Sequence, residues 1–207
     1  MPVTLIIGGA RSGKSSFAER YVQRLSTTEN RSVTYIATAQ ALDDEMAARI
    51  AQHQSRRPSH WMTIEEPLNV PPVLGERQSS IILIDCLSLL LNNWMFLGSQ
   101  SRDEGDFCLD GTSRPGLVKA SYGDGDAGVA SFKQRTEDLV HALQEHPRQV
   151  VVVSNEVGEG IVPVDAMTRL YRDRLGVLNQ SVAAVADVVY LMVAGIAVDV
   201  RKLGTPW

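Results

Sequence analysis

Gly8-Gly9-Ala10-Arg11-Ser12-Gly13-Lys14-Ser15 fits the pattern G-x-x-x-x-G-K-[ST] at every fixed position. Val3 to Ile7, just before it, is a short β-branched apolar run that reads as a buried strand. Ser15 to Leu25, just after it, reads as a helix with Phe17, Tyr21 and Leu25 on one face. A strand, a glycine loop and a helix N-terminus set several backbone N–H groups around one concave spot. Such a spot holds a polyphosphate. Lys14 would reach the β- and γ-phosphates, and the Ser15 hydroxyl would take a place on Mg²⁺. The loop alone names neither the nucleotide nor its fate.

The rest of the chain continues the alternation. Strands are expected at Val33–Ala37, His60–Ile64, Ser80–Asp85, Gln149–Ser154 and Val188–Val193. Helices are expected at Asp43–Gln54, Leu87–Phe96, Ala130–His146 and Val164–Ala186, the last broken near Gly176. Pro67 to Gly75, with three prolines, reads as a loop. Ala194-Gly195 reads as a tight turn into Ile196–Val200, giving an antiparallel hairpin at one edge. This order implies an α/β fold: a mostly parallel sheet with helices on both faces. Residues 98–129 differ in kind, being rich in Gly, Asp and Ser without periodicity, and read as a flexible insertion on the surface. No linker or repeat divides the chain, so residues 1–207 are expected to form a single domain.

Composition narrows the function. Apolar residues make up 44% and charged residues 21% of the 207, ordinary globular values. A net charge of −4 argues against a nucleic-acid partner. Two cysteines, Cys86 and Cys108, are too few for a disulfide scaffold, and Cys86 reads as a small buried residue. The glycine loop begins at Gly8, leaving no signal segment ahead of it. No apolar stretch reaches the ~18 residues of a membrane span. A cytoplasmic location is therefore expected.

Several residues could carry chemistry. Asp85 ends a buried strand, where an acid of a phosphate-loop fold meets Mg²⁺ directly or through water; capping the following helix is the other role open to it. His53 lies on a helical stripe with Leu42, Met46 and Ile50. On spacing alone it is a hydrogen-bonded rim residue or a nucleophile. Arg49, Arg56 and Arg57 around it could hold phosphate oxygens. His141 and His146, on or after a polar helix, read as solvated, and no histidine pair has zinc-site spacing. Asn155-Glu156-Val157-Gly158-Glu159-Gly160 follows a strand and could face a ligand crevice or simply turn the chain. Arg169, Arg172 and Asp173 could be an exposed ion-pair set or an anion-binding face.

Together these motifs resemble one family. The matching residues are the Gly8–Ser15 loop, Tyr35–Ala39, Asp43–Met46 with Arg49, Ile50 and His53, and Arg57-Pro58, Trp61 and Glu65. They continue with Asp85-Cys86-Leu87, Asn93, Asn155–Pro163, Arg169, Arg172-Asp173, Gly176, Asn179-Gln180, Ala183 and Ala186-Asp187. The chain is similar to the bifunctional adenosylcobinamide kinase / adenosylcobinamide-phosphate guanylyltransferases of cobalamin biosynthesis. That resemblance implies a RecA-like P-loop domain with two activities. ATP or GTP phosphorylates the aminopropanol hydroxyl of adenosylcobinamide. A histidine, mapping onto His53, then attacks the α-phosphorus of GTP, and the histidine-bound GMP passes to adenosylcobinamide phosphate. Gly8, Gly9, Ala10, Arg11, Ser12, Gly13, Lys14 and Ser15 would hold phosphates. Ala37, Thr38, Ala39, Gln54, Ser55, Arg56 and Arg57 would lie beside the nucleotide, Glu65 would contact the guanylyl moiety, and Ser15 and Asp85 would serve Mg²⁺. The resemblance also implies a homo-oligomer, a trimer. The rival reading, a P-loop small-molecule kinase without the guanylyl step, shares the loop and Asp85 but has no need of His53.

Overall fold

The computed structural model describes residues 2–41, 43–76, 79–96 and 126–204. Leu42, Cys108 and most of the expected insertion lie outside them, as does the side chain of Arg49. The elements run β1 (Val3–Gly8), α1 (Lys14–Glu29), β2 (Val33–Ala37), α2 (Asp44–Arg56), β3 (Met62–Glu65), α3 (Val70–Glu76), β4 (Ile81–Asp85) and α4 (Leu87–Phe96). They continue α5 (Asp126–Glu145), β5 (Gln149–Asn155), α6 (Ala166–Val185), β6 (Val188–Val193), β7 (Ile196–Asp199) and α7 (Val200–Leu203). The seven strands form one sheet in the order β3-β2-β4-β5-β1-β6-β7. All pairs are parallel except β6 with β7. This is the mostly parallel α/β arrangement with an antiparallel edge hairpin that was expected, with β5 inserted between the strand that leads into the glycine loop and the strand that ends in Asp85.

The period-2 alternation of the strands explains both layers. Val3, Leu5, Ile82, Ile84, Val150 and Val152 point to one face and pack with residues of α3, α4, α5 and α6. Ile6, Ile81, Leu83, Val151 and Val153 point to the other, against Ala18 and Val22 of α1. Strands buried on both faces carry unbroken aliphatic runs, as β4 and β5 do. Each such side chain contributes roughly 1.5–3 kcal/mol on burial. An aromatic cluster of Phe17, Tyr21 and Tyr190 ties α1 to β6, with ring centroids 5.2–6.0 Å apart.

Four elements differ from the sequence expectation, one being α5, which begins at Asp126 rather than Ala130 and so takes in the end of the expected insertion. The proline-rich stretch is a helix from Val70: Pro71 and Pro72 occupy its first turn, where the missing N–H has no partner to lose. Its Val70 and Leu74 are fully buried. α6 runs unbroken through Gly176, because Leu175, Leu178 and Val182 anchor it on both sides of the glycine. The third strand starts at Met62 rather than His60. No helix among the described residues is long and apolar enough to cross a membrane.

Candidate functional site

The glycine loop lies at the carboxyl edge of the sheet, beyond β1. Two glycines are required there by space and backbone. A Cβ on Gly8 would lie 2.7 Å from Ser12 Oγ and 2.8 Å from the Met192 carbonyl oxygen. Gly13 has φ +90°, a left-handed conformation that other residues adopt at a cost of about 1–2 kcal/mol. Gly13 also caps α1 without a side-chain bond, which leaves the first N–H groups of the helix for an anion. Lys14 curls back so that its Nζ donates to the Gly9 carbonyl at 3.2 Å. The β6–β7 turn props the loop, the Gly195 N–H donating to the Ser12 carbonyl at 3.0 Å.

Beside the loop opens a cleft of about 130 Å³. Lys14, Ser15, Ala37, Ala39, His53, Arg57, Glu65 and Asp85 all line it. Five elements supply these residues: α1, the end of β2, α2, β3 and the end of β4. α2 starts from Asp43, whose carboxylate accepts from the Met46 N–H at 2.7 Å. Its apolar stripe, Met46 and Ile50, faces the cleft with His53. His53 is half-buried and Glu65 exposed.

Other expected site residues fall elsewhere. Gln54, Ser55 and Arg56 are exposed on α2 and are not in the cleft lining. Thr38 is also absent from it; its side chain is fully buried, and Oγ1 accepts from the Cys86 N–H and donates to the Cys86 carbonyl, both at 2.8 Å. Gly9, Ala10, Arg11 and Ser12 line a second hollow on the far side of the loop. Asn155 faces the cleft, its Nδ2 donating to Ser88 Oγ at 2.8 Å, whereas Glu156 faces the second hollow. Arg169 and Arg172 donate to backbone carbonyls, while Arg172 Nη1 stays buried without a hydrogen-bond partner. Arg169 donates to the carbonyls of Pro163 and Val164, and Arg172 to that of Gly158, so both hold the loop after β5.

The sequence reading gave Tyr35 no role and passed over Glu19. The Tyr35 ring is buried, and its hydroxyl donates to Asp85 Oδ2 at 2.8 Å. Burial, the Asp85 charge and that bond push its pKa far up. The Arg57 guanidinium lies over the same ring, 3.4 Å from its centroid. Arg57 Nε and Nη1 are buried and make no hydrogen bond. Glu19 lies on α1 one turn after Ser15, and burial, then the Asp85 charge, raises its carboxyl pKa. A tyrosine in a buried strand needs a partner for its hydroxyl, and the acid ending the neighbouring strand was the available signal. Burial also holds the Cys86 thiol up at about 11, so it is no thiolate at neutral pH.

Ser15 and Asp85 share the cleft and offer hard oxygen donors; Tyr35 occupies only one carboxylate oxygen. Among the described residues no cluster of three or more His, Cys, Asp or Glu could cage a metal. That donor set suits Mg²⁺, which is commonly held by one or two protein oxygens together with substrate phosphates and water.

The model of one family, described as cobinamide kinase / cobinamide phosphate guanyltransferase, matches residues 4–200. The bifunctional adenosylcobalamin biosynthesis protein CobU of Escherichia coli (strain K12) is 36% identical over 201 residues, covering 95% of this chain and 98% of that protein. The corresponding CobP of Pseudomonas aeruginosa is 37% identical over 199 residues, covering 95% and 96%. CobU of Salmonella typhimurium is 38% identical over 199 residues, covering 95% and 98%.

Proposed function

The chain belongs to the cobinamide kinase / cobinamide phosphate guanyltransferase family, and from that premise we propose that the cleft beside the glycine loop serves both reactions, with His53 as the guanylyl carrier. The observation that carries this reading is the convergence of Lys14, Ser15, Asp85 and His53 on one cleft. A kinase alone needs the first three. A half-buried imidazole on the opposite wall suits a covalent relay.

In the kinase step the aminopropanol oxygen of adenosylcobinamide forms a bond to the γ-phosphorus of ATP or GTP. The bond from that phosphorus to the β,γ-bridging oxygen breaks, the nucleoside diphosphate leaves and the hydroxyl proton passes to solvent. Lys14 and the N–H groups of the loop hold the charge that builds on the phosphates. Mg²⁺, held by Ser15 and Asp85 with the nucleotide, would supply further neutralisation of that charge.

In the guanylyl step a ring nitrogen of His53 bonds to the α-phosphorus of GTP, and pyrophosphate departs onto the loop. A phosphate oxygen of adenosylcobinamide phosphate then attacks the same phosphorus. The P–N bond breaks, His53 is restored and adenosylcobinamide-GDP is formed. Arg57 is built to assist, because two of its donors are desolvated and unbonded, and an anionic oxygen would satisfy them. Glu65 lines the cleft, and its carboxylate would accept from the N–H groups of guanine. Splitting the displacement in two lets one site use both halves of GTP in turn.

The decisive experiment incubates the protein with GTP labelled at the α-phosphate and separates it under denaturing conditions. Retained label, stable in alkali and lost in acid, is expected. His53→Ala should abolish it while sparing phosphorylation of cobinamide. Wild-type protein that retains no label would leave the kinase alone.

A further inference from the structure

The second hollow lies outside the cleft, yet it borders the same glycine loop. It measures about 570 Å³ and lies between the loop after β5 and the end of β6. Ser12 is at its floor, only 8% exposed, and its Oγ is buried without a hydrogen-bond partner. The protein itself leaves this hydroxyl unsatisfied. The walls combine exposed aliphatic surface, Val157 and Val193, with the carboxylates of Glu156 and Glu159. Against those two acids stands one base, Arg11.

We infer that this hollow is the seat of the phosphoryl acceptor, a bulky cationic corrinoid alcohol; the inference rests on the function proposed above. Three observations select this occupant. The hollow borders Gly9 to Ser12, the half of the loop away from Lys14 and Ser15, while the nucleoside wall of the cleft lies on the other side. The two hollows have no lining residue in common, but both border the glycine loop that would hold the phosphates. The second observation is charge. Two carboxylates and one guanidinium repel a polyanion, so a second nucleoside triphosphate is disfavoured, whereas an alkylated cobinamide is a net cation. The third is surface character. A corrin ring is broad and apolar with an amide fringe, which suits aliphatic walls and a lone hydroxyl at the floor. The corrinoid therefore approaches from one side of the loop and the base of the nucleotide from the other.

Two variants on opposite walls test this. Val193→Trp fills the hollow from β6, and Glu159→Gln removes a charge from the other wall. In each, the KM for adenosylcobinamide and the KM for the nucleotide are measured in the kinase reaction. Binding of cobinamide without nucleotide is followed by equilibrium dialysis, and His53 labelling by α-labelled GTP is followed separately. Val193→Trp should raise the cobinamide KM and dissociation constant at least tenfold. Glu159→Gln should raise them about threefold, the effect shrinking as salt is added. The nucleotide KM and the labelling should stay within twofold. A rise in the nucleotide KM with cobinamide unaffected would make the hollow a nucleoside site and overturn the inference. Unchanged KM values in both variants would also overturn it. Wild-type protein that does not phosphorylate cobinamide would instead sink the functional reading, a failure visible before any variant is made.

Discussion

At the scale of single residues, the site depends on side chains that position its working groups. Asp85, which lines the cleft, is aimed by Tyr35, whose hydroxyl occupies only one carboxylate oxygen. Tyr35 also supplies the aromatic face on which Arg57 rests. Thr38 holds the chain just after Asp85 by both bonds to Cys86, and Asn93 Nδ2 donates to the Thr38 carbonyl at 2.8 Å. Thr38→Val keeps the shape and orphans the buried Cys86 N–H. Chemical denaturation should show a loss of about 1–3 kcal/mol. Because Cys86 follows Asp85 directly, kcat should fall more than the nucleotide KM rises. A valine variant as stable and as active as wild type would refute this positioning role.

At the scale of elements, His146 shows how packing overrides local character. Its neighbours in sequence are polar, which is why it reads as solvated, yet it is only 6% exposed. The ring sits where the end of α5 meets α3, hydrogen-bonded to the Leu74 backbone, with Nε2 unpartnered. Desolvation first, and then the nearby Arg148 charge, lowers its pKa; the Leu74 bond opposes them. The folded protein therefore resists protonating this ring, while the unfolded chain takes up a proton at about 6.5. Between those two values the unfolded state binds more protons, so stability falls as pH falls from about 7 toward 5. His146→Gln should flatten that slope in denaturant titrations run across this range. An unchanged slope would assign the pH dependence elsewhere. α3 beside it repeats the lesson: its prolines announce a loop, but two fully buried residues one turn apart make a helix worthwhile.

At the scale of the whole molecule, the surface carries an unexplained apolar feature. Ile161 and Val164, in the segment after β5, are each 97% exposed, and Val162 beside them is exposed too. Arg169 and Arg172 pin this segment by its carbonyls, so it is held out rather than loose. We propose that it packs against a second copy of the chain in a homotrimer, close to the glycine loop. Sedimentation equilibrium should give three times the protomer mass, and Ile161→Lys with Val164→Lys should shift the population toward monomer. A wild-type monomer at micromolar concentration would remove the proposal.

The sequence by itself determined the phosphate loop, the two-faced parallel sheet and the edge hairpin, because each is written in residues close together along the chain. The motif occupies Gly8 to Ser15, and uninterrupted aliphatic runs such as Val150–Val153 leave no polar face for a strand to show to water. The family resemblance also singled out His53 and Asp85. Only the tertiary structure decided which of the named residues meet. His53 and Arg57 share a cleft with Lys14 while Arg56 does not, since helical rotation and strand order set where neighbours in sequence point. It alone turned Thr38 and Arg169 into supports for the backbone, gave Tyr35 its place under Arg57 and divided the glycine loop between two hollows. Contacts between residues tens of positions apart arise from packing, which no local window of sequence contains.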